Sequence, residues 1–313
     1  MQDLEAWAGR PADEPAWHEY RRALLATGRS DDTIYNYRHT LQLVSLSLPA
    51  GADLWTMRRE DVTAFLAAGA AGDWARSSLA TYSRRLRTFC LWAHRAGYAD
   101  ADPMTAVSPV REDVREIPVP DPAHIRALVA TVATGKRFQD RRDWMIMCLL
   151  AEAGTPRATE LADLPAAAPD LRHGQLRFTG KGGLERTIAL GAASCRAVTL
   201  YQRSRAVHKD AGLPWLLLGK QGKMTRHGIR QMLEDRAAQA GVPRVPPHHW
   251  RHLTAHLFME GGGSVPDAMK LFGWRTPLMA SRYGGSAASA RAVRHARELS
   301  IGDAILSGKA RAG

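Results

Sequence analysis

Pro247-His248-His249-Trp250-Arg251-His252 is the stretch from which the rest of the chain is read. His248 and Arg251 stand three residues apart, a spacing that puts both side chains on one face of a helix. Pro246 and Pro247 stop whatever precedes, and Leu253, Leu257 and Phe258 follow at helical spacing, so the pattern predicts a helix that begins here. An imidazole and a guanidinium are thereby aimed at one point. The guanidinium is a rigid fork of donors suited to phosphate oxygens, and the imidazole exchanges a proton near neutral pH. Alone, such a pair is common in a chain with 12 histidines, and its weight comes from its surroundings.

Upstream of it, Thr225 caps a predicted helix to about Gly241 that carries Arg226, His227, Arg230 and Gln231. Further back, Gln175–Thr179 and Arg186–Leu190 alternate as strands around the turn Gly180-Lys181-Gly182-Gly183. Helices are expected over Pro122–Thr134, Asp140–Ala153 and Ser194 to about Lys209. Downstream come Val265–Phe272, Thr276–Tyr283 and a helical tail from about Ala287 to Leu306. Before all this, four helices are expected: Trp17 to near Gly28, Thr33 to Leu46 behind the cap Ser30-Asp31-Asp32, Leu54–Ala68, and one from Ser77-Ser78 to about Ala96. Trp7, Trp17, Trp55, Trp74 and Trp92 fit core or interface positions. The pattern is mainly α with a small β-sheet.

Five prolines (Pro103, Pro109, Pro118, Pro120, Pro122) and the run Arg111–Glu116 mark an extended linker. The expected layout is a flexible start at 1–16, a helical domain at 17–102, the linker at 103–121, a second domain at 122–285 and a tail at 286–313. At 313 residues two cores are affordable. Lys+Arg 43 against Asp+Glu 31 gives +12, which favours a polyanionic partner. Residues 1–110 hold 12 basic and 13 acidic side chains and residues 111–313 hold 31 and 18, so the second part carries the positive field. In the first part Arg84, Arg85 and Arg87 form a local cluster for phosphate contact, or else a solvated face. Three scattered cysteines (Cys90, Cys148, Cys195) without CxxC suit a reducing compartment. The acidic start lacks the apolar core of a secretion signal, and no apolar run reaches the length of a membrane span, so the expectation is a cytoplasmic, nucleoid-associated protein.

Four separated pieces resemble, in order, the motifs of the tyrosine recombinases of the phage-integrase family. Ala153-Gly154-Thr155-Pro156-Arg157-Ala158-Thr159-Glu160-Leu161 is similar to their T-G-L-R-x-S-E-L box. Gly180-Lys181-Gly182-Gly183-Leu184-Glu185-Arg186 is similar to their G-K-G-x-x-x-R hairpin. His248 to His252 matches H-x-L-R-H, and Leu271-Phe272-Gly273-Trp274 leads to Tyr283 nine residues on, as in relatives. The resemblance implies a helical N-terminal core-binding (SAM-like) domain and an α+β catalytic domain. It departs at Pro156, which removes a backbone donor before Arg157, at Thr159 in place of Ser, and at Leu184, where many relatives carry a second cation.

The roles implied suit the chemistry. Attack on a phosphodiester builds charge on the non-bridging oxygens, and Arg157 and Arg251 would clamp them. Tyr283 would be the nucleophile and His248 its base; Lys181 would protonate the leaving 5′-hydroxyl, and Trp274 would donate its indole N–H. Glu160 and His252 would support the site. The 3′-phosphotyrosine keeps the bond energy, so neither ATP nor a metal or other cofactor is implied. Rival readings are a metal site at His248, His249, His252 and His256, a DNA-binding relative without activity, and a type IB topoisomerase-like enzyme. The expected partners are duplex DNA with inverted half-sites, read in the major groove by Arg226 and Arg230, and further copies of the chain, a dimer per site and a tetramer in synapsis. The tail would pass to a neighbouring copy, and an accessory bending or directionality factor is conceivable. The short stretch before residue 17 points to simple sites without an arm-binding domain.

Overall fold

The computed structural model describes residues 6–111, 119–180, 183–277, 279 and 280, and beyond these only positions 293, 296–298, 300, 302 and 306. The chain divides into two compact units, 1–115 and 116–313.

The first unit opens with a 3-10 turn, Pro11–Asp13, and continues through α1 (Glu14–Ala26), α2 (Asp31–Ser47), α3 (Arg59–Ala71) and α4 (Arg76–Arg95). Its core gathers Trp17, Tyr20, Ile34, Leu41, Leu86 and Phe89. The expected flexible start is corrected here: residues 6–16 are built into the fold. Buried Asp13 accepts from the Ser45 hydroxyl and the Leu54 amide, both at 2.6 Å. Arg10 donates to the carbonyls of Leu48 and Pro49, and Trp7 stacks on Trp17. The third helix starts later than expected because the Asp53 carboxylate gathers the amides of Trp55 and Thr56 into a turn, and the Asp61 carboxylate then caps the Arg58 amide. α4 starts at Arg76 with Ala75 before it, so Ser77-Ser78 is inside the helix rather than its cap. The expected linker start is corrected too: Met104 is fully buried in this core.

The second unit holds α5 (Pro122–Ala130), α6 (Phe138–Ala151), α7 (Ala158–Ala162), β1 (Pro169–Asp170), β2 (Gln175–Thr179), β3 (Glu185–Ala189), α8 (Ala192–Arg205), β4 (Leu218–Gly219), β5 (Gly222–Lys223), α9 (Arg226–Ala240), α10 (Pro247–Glu260) and α11 (Val265–Phe272). β1, β2 and β3 form an antiparallel sheet with Phe178 opposite Arg186, and β4 pairs with β5. α6 is buried nearly all round, with Met145, Ile146, Leu149 and Leu150 inside, and it packs against α8 and α10. Asp121 accepts from the Ala123 amide at the start of α5, Thr225 from Gly228 at α9, and Ser264 from Asp267 at α11, each a side chain satisfying an end-of-helix donor. α10 starts behind Pro246 with Pro247 in its first turn, as the sequence pattern predicts, and Trp250 anchors it in the core. Burial of one such large apolar side chain contributes about 1.5–3 kcal/mol.

α9 is held by charge as well as by apolar contact. Arg236 on α9 donates to Asp143 (2.6 Å) and Asp140 (3.1 Å) on α6. Asp143 also accepts from Arg142, whose guanidinium reaches the Leu218 carbonyl in β4. Cys90 and Cys148 are buried free thiols and Cys195 a half-buried one. No helix among the described residues is long and apolar enough to cross a membrane. Of the expected C-terminal helices, the segment from 281 onward lies almost wholly outside the described residues.

Candidate active site

A cleft of about 530 Å³ in the second unit is lined by Arg157, Thr159, His248, Arg251 and Trp274, together with Arg226, His227 and Arg230 from the first turn and a half of α9. Three of the four resembling motifs therefore meet in one place, although up to 117 residues separate them in sequence. Lys181 and Tyr283 lie outside the described residues.

Arg251 projects from the first turns of α10 and is buried. Its Nη1 donates to the Thr155 carbonyl at 2.5 Å, its other Nη to the Phe272 carbonyl, and the guanidinium lies 5.2 Å from the Phe272 ring centre. Thr155 is itself fixed: its hydroxyl bonds the Leu150 and Glu152 carbonyls and meets the Thr254 hydroxyl at 3.0 Å. The aim of Arg251 thus rests on three segments at once.

Arg157 immediately precedes α7. Glu160 accepts from its backbone amide and from its Nη1, both at 2.7 Å. The carboxylate caps the short helix and orients the guanidinium, while 38% of the Arg157 side chain faces solvent. Pro156 does not prevent this turn, because Gly154 takes the left-handed conformation (φ +83°) and absorbs the change of direction. Burial raises the Glu160 carboxyl, but the hydrogen bonds from Arg157 and the charges of Arg157 and Arg186 outweigh it and hold the group below its ordinary range.

His248 stands beside Arg251 on the cleft wall. Burial, then the neighbouring His249 and Arg230, lower its pKa, so the imidazole is neutral and able to accept a proton at pH 7. His252, one turn on, is lowered to about 4, by burial first and then by His248, His249 and Arg251. Its ring centre is 5.7 Å from that of His248. Trp274 is buried and stacks on Phe272 at 4.9 Å, which sets its indole along the same wall. Gly273, at φ +60°, ends α11 and turns the chain toward it. Among the described residues no three His, Cys, Asp or Glu side chains are grouped as metal ligands are.

The proposed DNA contacts fall into two sets. Arg226 and Arg230 line the cleft, and Arg230 pairs with Glu234 at 3.1 Å. Arg84, Arg85 and Arg87 belong to the first unit. Arg84 is on its surface beside Thr81. Arg85 reaches Thr40 and the Asn36 carbonyl. Arg87 spends its guanidinium on the carbonyls of Met104 and Val107, tying the chain end to α4. One residue escapes a reading of separate motifs. Arg186 closes the hairpin motif in sequence, yet it is buried and contacts the other motifs rather than solvent.

The model of the family described as Phage integrase family matches residues 120–289, and that of the Phage integrase, N-terminal SAM-like domain matches residues 18–97. Among curated proteins, the chain is 31% identical over 272 residues to a protein named Tyrosine recombinase XerC from Mycobacterium sp. (strain JLS), covering 83% of this chain and 89% of that one. Among solved structures, it resembles the Tn1549 transposon integrase in complex with transposon right end DNA, with a TM-score of 0.68 and 16% identity over 91% of this chain and 99% of that one. It also resembles lambda integrase in a tetramer bound to a Holliday junction, with a TM-score of 0.64 and 16% identity over 86% of this chain and 76% of that one.

Proposed function

The chain belongs to the phage integrase family of tyrosine recombinases and is a site-specific enzyme that cleaves and rejoins DNA through a tyrosine; from that premise we propose how its side chains divide the work. Tyr283 attacks the scissile phosphorus and forms a 3′-phosphotyrosine while the bond to the 5′ oxygen breaks. His248, neutral at pH 7, takes the phenol proton. Arg157 and Arg251 hold the non-bridging oxygens, and Trp274 donates its indole N–H to one of them. Lys181 gives a proton to the departing 5′-hydroxyl. Attack by a second 5′-hydroxyl reverses the step on a new partner, and because the phosphotyrosine preserves the bond energy no external source is needed.

The observation that carries this reading is the convergence of Arg157, His248, Arg251 and Trp274 on one cleft. Glu160 supports it by orienting Arg157, and His252 by packing beside His248. Arg226 and Arg230, on the same cleft wall, would meet bases or phosphates next to the scissile bond, and Arg84, the most exposed of its cluster, would face phosphate from the first unit with Arg85 beside it, whereas the guanidinium of Arg87 is taken up by the carbonyls of Met104 and Val107. The DNA partner is a duplex whose site carries two inverted half-sites, with a dimer on each site and a tetramer in synapsis, in the cytoplasm with the nucleoid. An accessory bending or directionality factor would decide between integration and excision or resolution.

The test is to incubate the full chain with fragmented candidate DNA, denature, and recover covalent adducts, beside Tyr283→Phe. Adducts in the wild type alone, with fragment ends that share one sequence, are expected. Adducts that survive in Tyr283→Phe would contradict the assignment.

A further inference from the structure

We propose that Arg186 is a positioning residue for the cleavage step: it offsets the Glu160 carboxylate from behind, so that Glu160 orients Arg157 without cancelling the charge that Arg157 offers the scissile phosphate. The inference rests on the recombinase reading and deepens it. Arg186 sits in β3 opposite Phe178, with its guanidinium 4.7 Å from that ring centre. Arg186 and Glu160 are both buried, while Arg157 lines the cleft. An arginine is costly to bury without partners, so the partners chosen here are informative.

The Glu160 carboxylate stands between two guanidiniums. Its Oε1 accepts from Arg157 Nη1 at 2.7 Å. Its Oε2 accepts from the Arg157 amide at 2.7 Å and from Arg186 Nη1 at 3.2 Å. The other Arg186 donors go to backbone. Nη2 donates to the Gly154 carbonyl, and Nε and Nη2 donate to the Leu271 carbonyl at 3.0 and 2.5 Å. Gly154 and Gly273 leave room for this node: a Cβ on Gly154 would lie 2.8 Å from the Leu271 oxygen, and one on Gly273 would lie 3.1 Å from Arg186 Cδ. The two carbonyls fix the guanidinium in place but carry no net charge, so its charge is met by Glu160.

Charge explains why a second arginine stands there. A carboxylate fixes a guanidinium fork well, but beside a phosphate site it also opposes the anion to be bound. Glu160 is ionised: burial raises its carboxyl, and the hydrogen bonds from Arg157 with the charges of Arg157 and Arg186 more than reverse that. Arg157 and Glu160 alone would sum to zero. With Arg186 behind them the three groups sum to +1, and the surplus falls to the arginine on the cleft. No carboxylate among the described residues lines that cleft. Negative charge grows on the non-bridging oxygens as Tyr283 attacks, so a Glu160 left without Arg186 opposes the transition state more than the bound ground state.

Loss of Arg186 also frees the carbonyls of Gly154 and Leu271, and a double-mutant cycle separates that effect from the charge. Arg186→Met is made in the wild-type and in the Glu160→Gln backgrounds, and single-turnover cleavage of the duplex site recovered by trapping is measured at saturating protein, where the rate does not depend on the folded fraction. The carbonyl contacts are lost in both backgrounds, and only the first keeps the anion. In the wild-type background Arg186→Met is expected to slow cleavage about 100-fold, the scale of a lost donor to developing charge. Relative to Glu160→Gln alone, the double variant is expected to be slower by less than about tenfold. Losses equal to within about twofold in the two backgrounds, the usual limit of additivity, or no loss in either, would overturn the inference. If Arg186→Met does not fold, Arg186→Gln in the same two backgrounds decides. A wild type that forms no adduct would instead overturn the recombinase reading, and this inference with it.

Discussion

The two units keep different things inside. The first buries aromatic and aliphatic side chains, and its buried polar groups (Asp13, Thr40, Ser45, Ser83) are small and close local turns and helix contacts. The second buries Arg142, Asp140, Asp143, Glu160, Arg186 and Arg251. Taking charge out of water costs several kcal/mol per ion, and a hydrophobic substitute is often as stable, so stability alone does not account for the difference. What the buried charges share is aim. Arg251 and Glu160 direct guanidiniums at the cleft, and the Arg142–Asp143–Arg236–Asp140 group fixes α9, whose first turns line it. The first unit holds a shape, and the second holds a geometry to within hydrogen-bond tolerance.

That contrast can be broken by mutation, and the largest effect is expected beneath α9. Arg236→Met takes one guanidinium from Asp140 and Asp143, which keep Arg137 and Arg142, and is expected to destabilise the second unit by about 1.5–3 kcal/mol. Urea unfolding followed by a probe in each unit checks it, with the first unit's transition unchanged. A smaller effect is expected at the cleft rim, where Arg230→Ala removes a surface cation already shared with Glu234. It is expected to weaken DNA binding by about tenfold and to reduce the salt slope by about 1, measured by titration at several salt concentrations.

The smallest effect is in pH dependence. The His252 pKa is depressed from 6.5 in the unfolded chain to about 4 in the fold, so the folded state favours the neutral ring. Its contribution to stability is complete above pH 6.5 and is lost as pH falls toward 4. The ring is half-buried, which limits the size; Tm is expected to fall by roughly a few degrees across that window. His252→Asn is expected to flatten this slope in melts at pH 7, 6, 5 and 4.5.

Legibility in the sequence followed locality. α10 and α11, the hairpin and the cap at Thr225 show themselves in spacings of a few residues, and so does the pairing of His248 with Arg251. β1, β4 and β5 are two residues each and too short for any periodicity to register. The order of residues 6–16 depends on Asp13 reaching Ser45 and Leu54, contacts 32 and 41 residues away. Arg87 looks like its basic neighbours in sequence, and only the carbonyls of Met104 and Val107 show where it is used. Arg186 was visible as the last letter of a motif, but its partners are up to 85 residues distant. Contacts of that range leave no mark on local pattern, and they are where this site is assembled.

The central claim is that the buried cations of the cleft act on the DNA phosphate instead of holding the fold. It is tested most directly by Arg251→Met, with single-turnover cleavage and Tm measured on the same preparation. We predict cleavage slowed by about 10²–10³-fold, the usual cost of removing a donor aimed at developing charge, with Tm within a few degrees of wild type. Cleavage that falls only as far as the folded fraction does would contradict it.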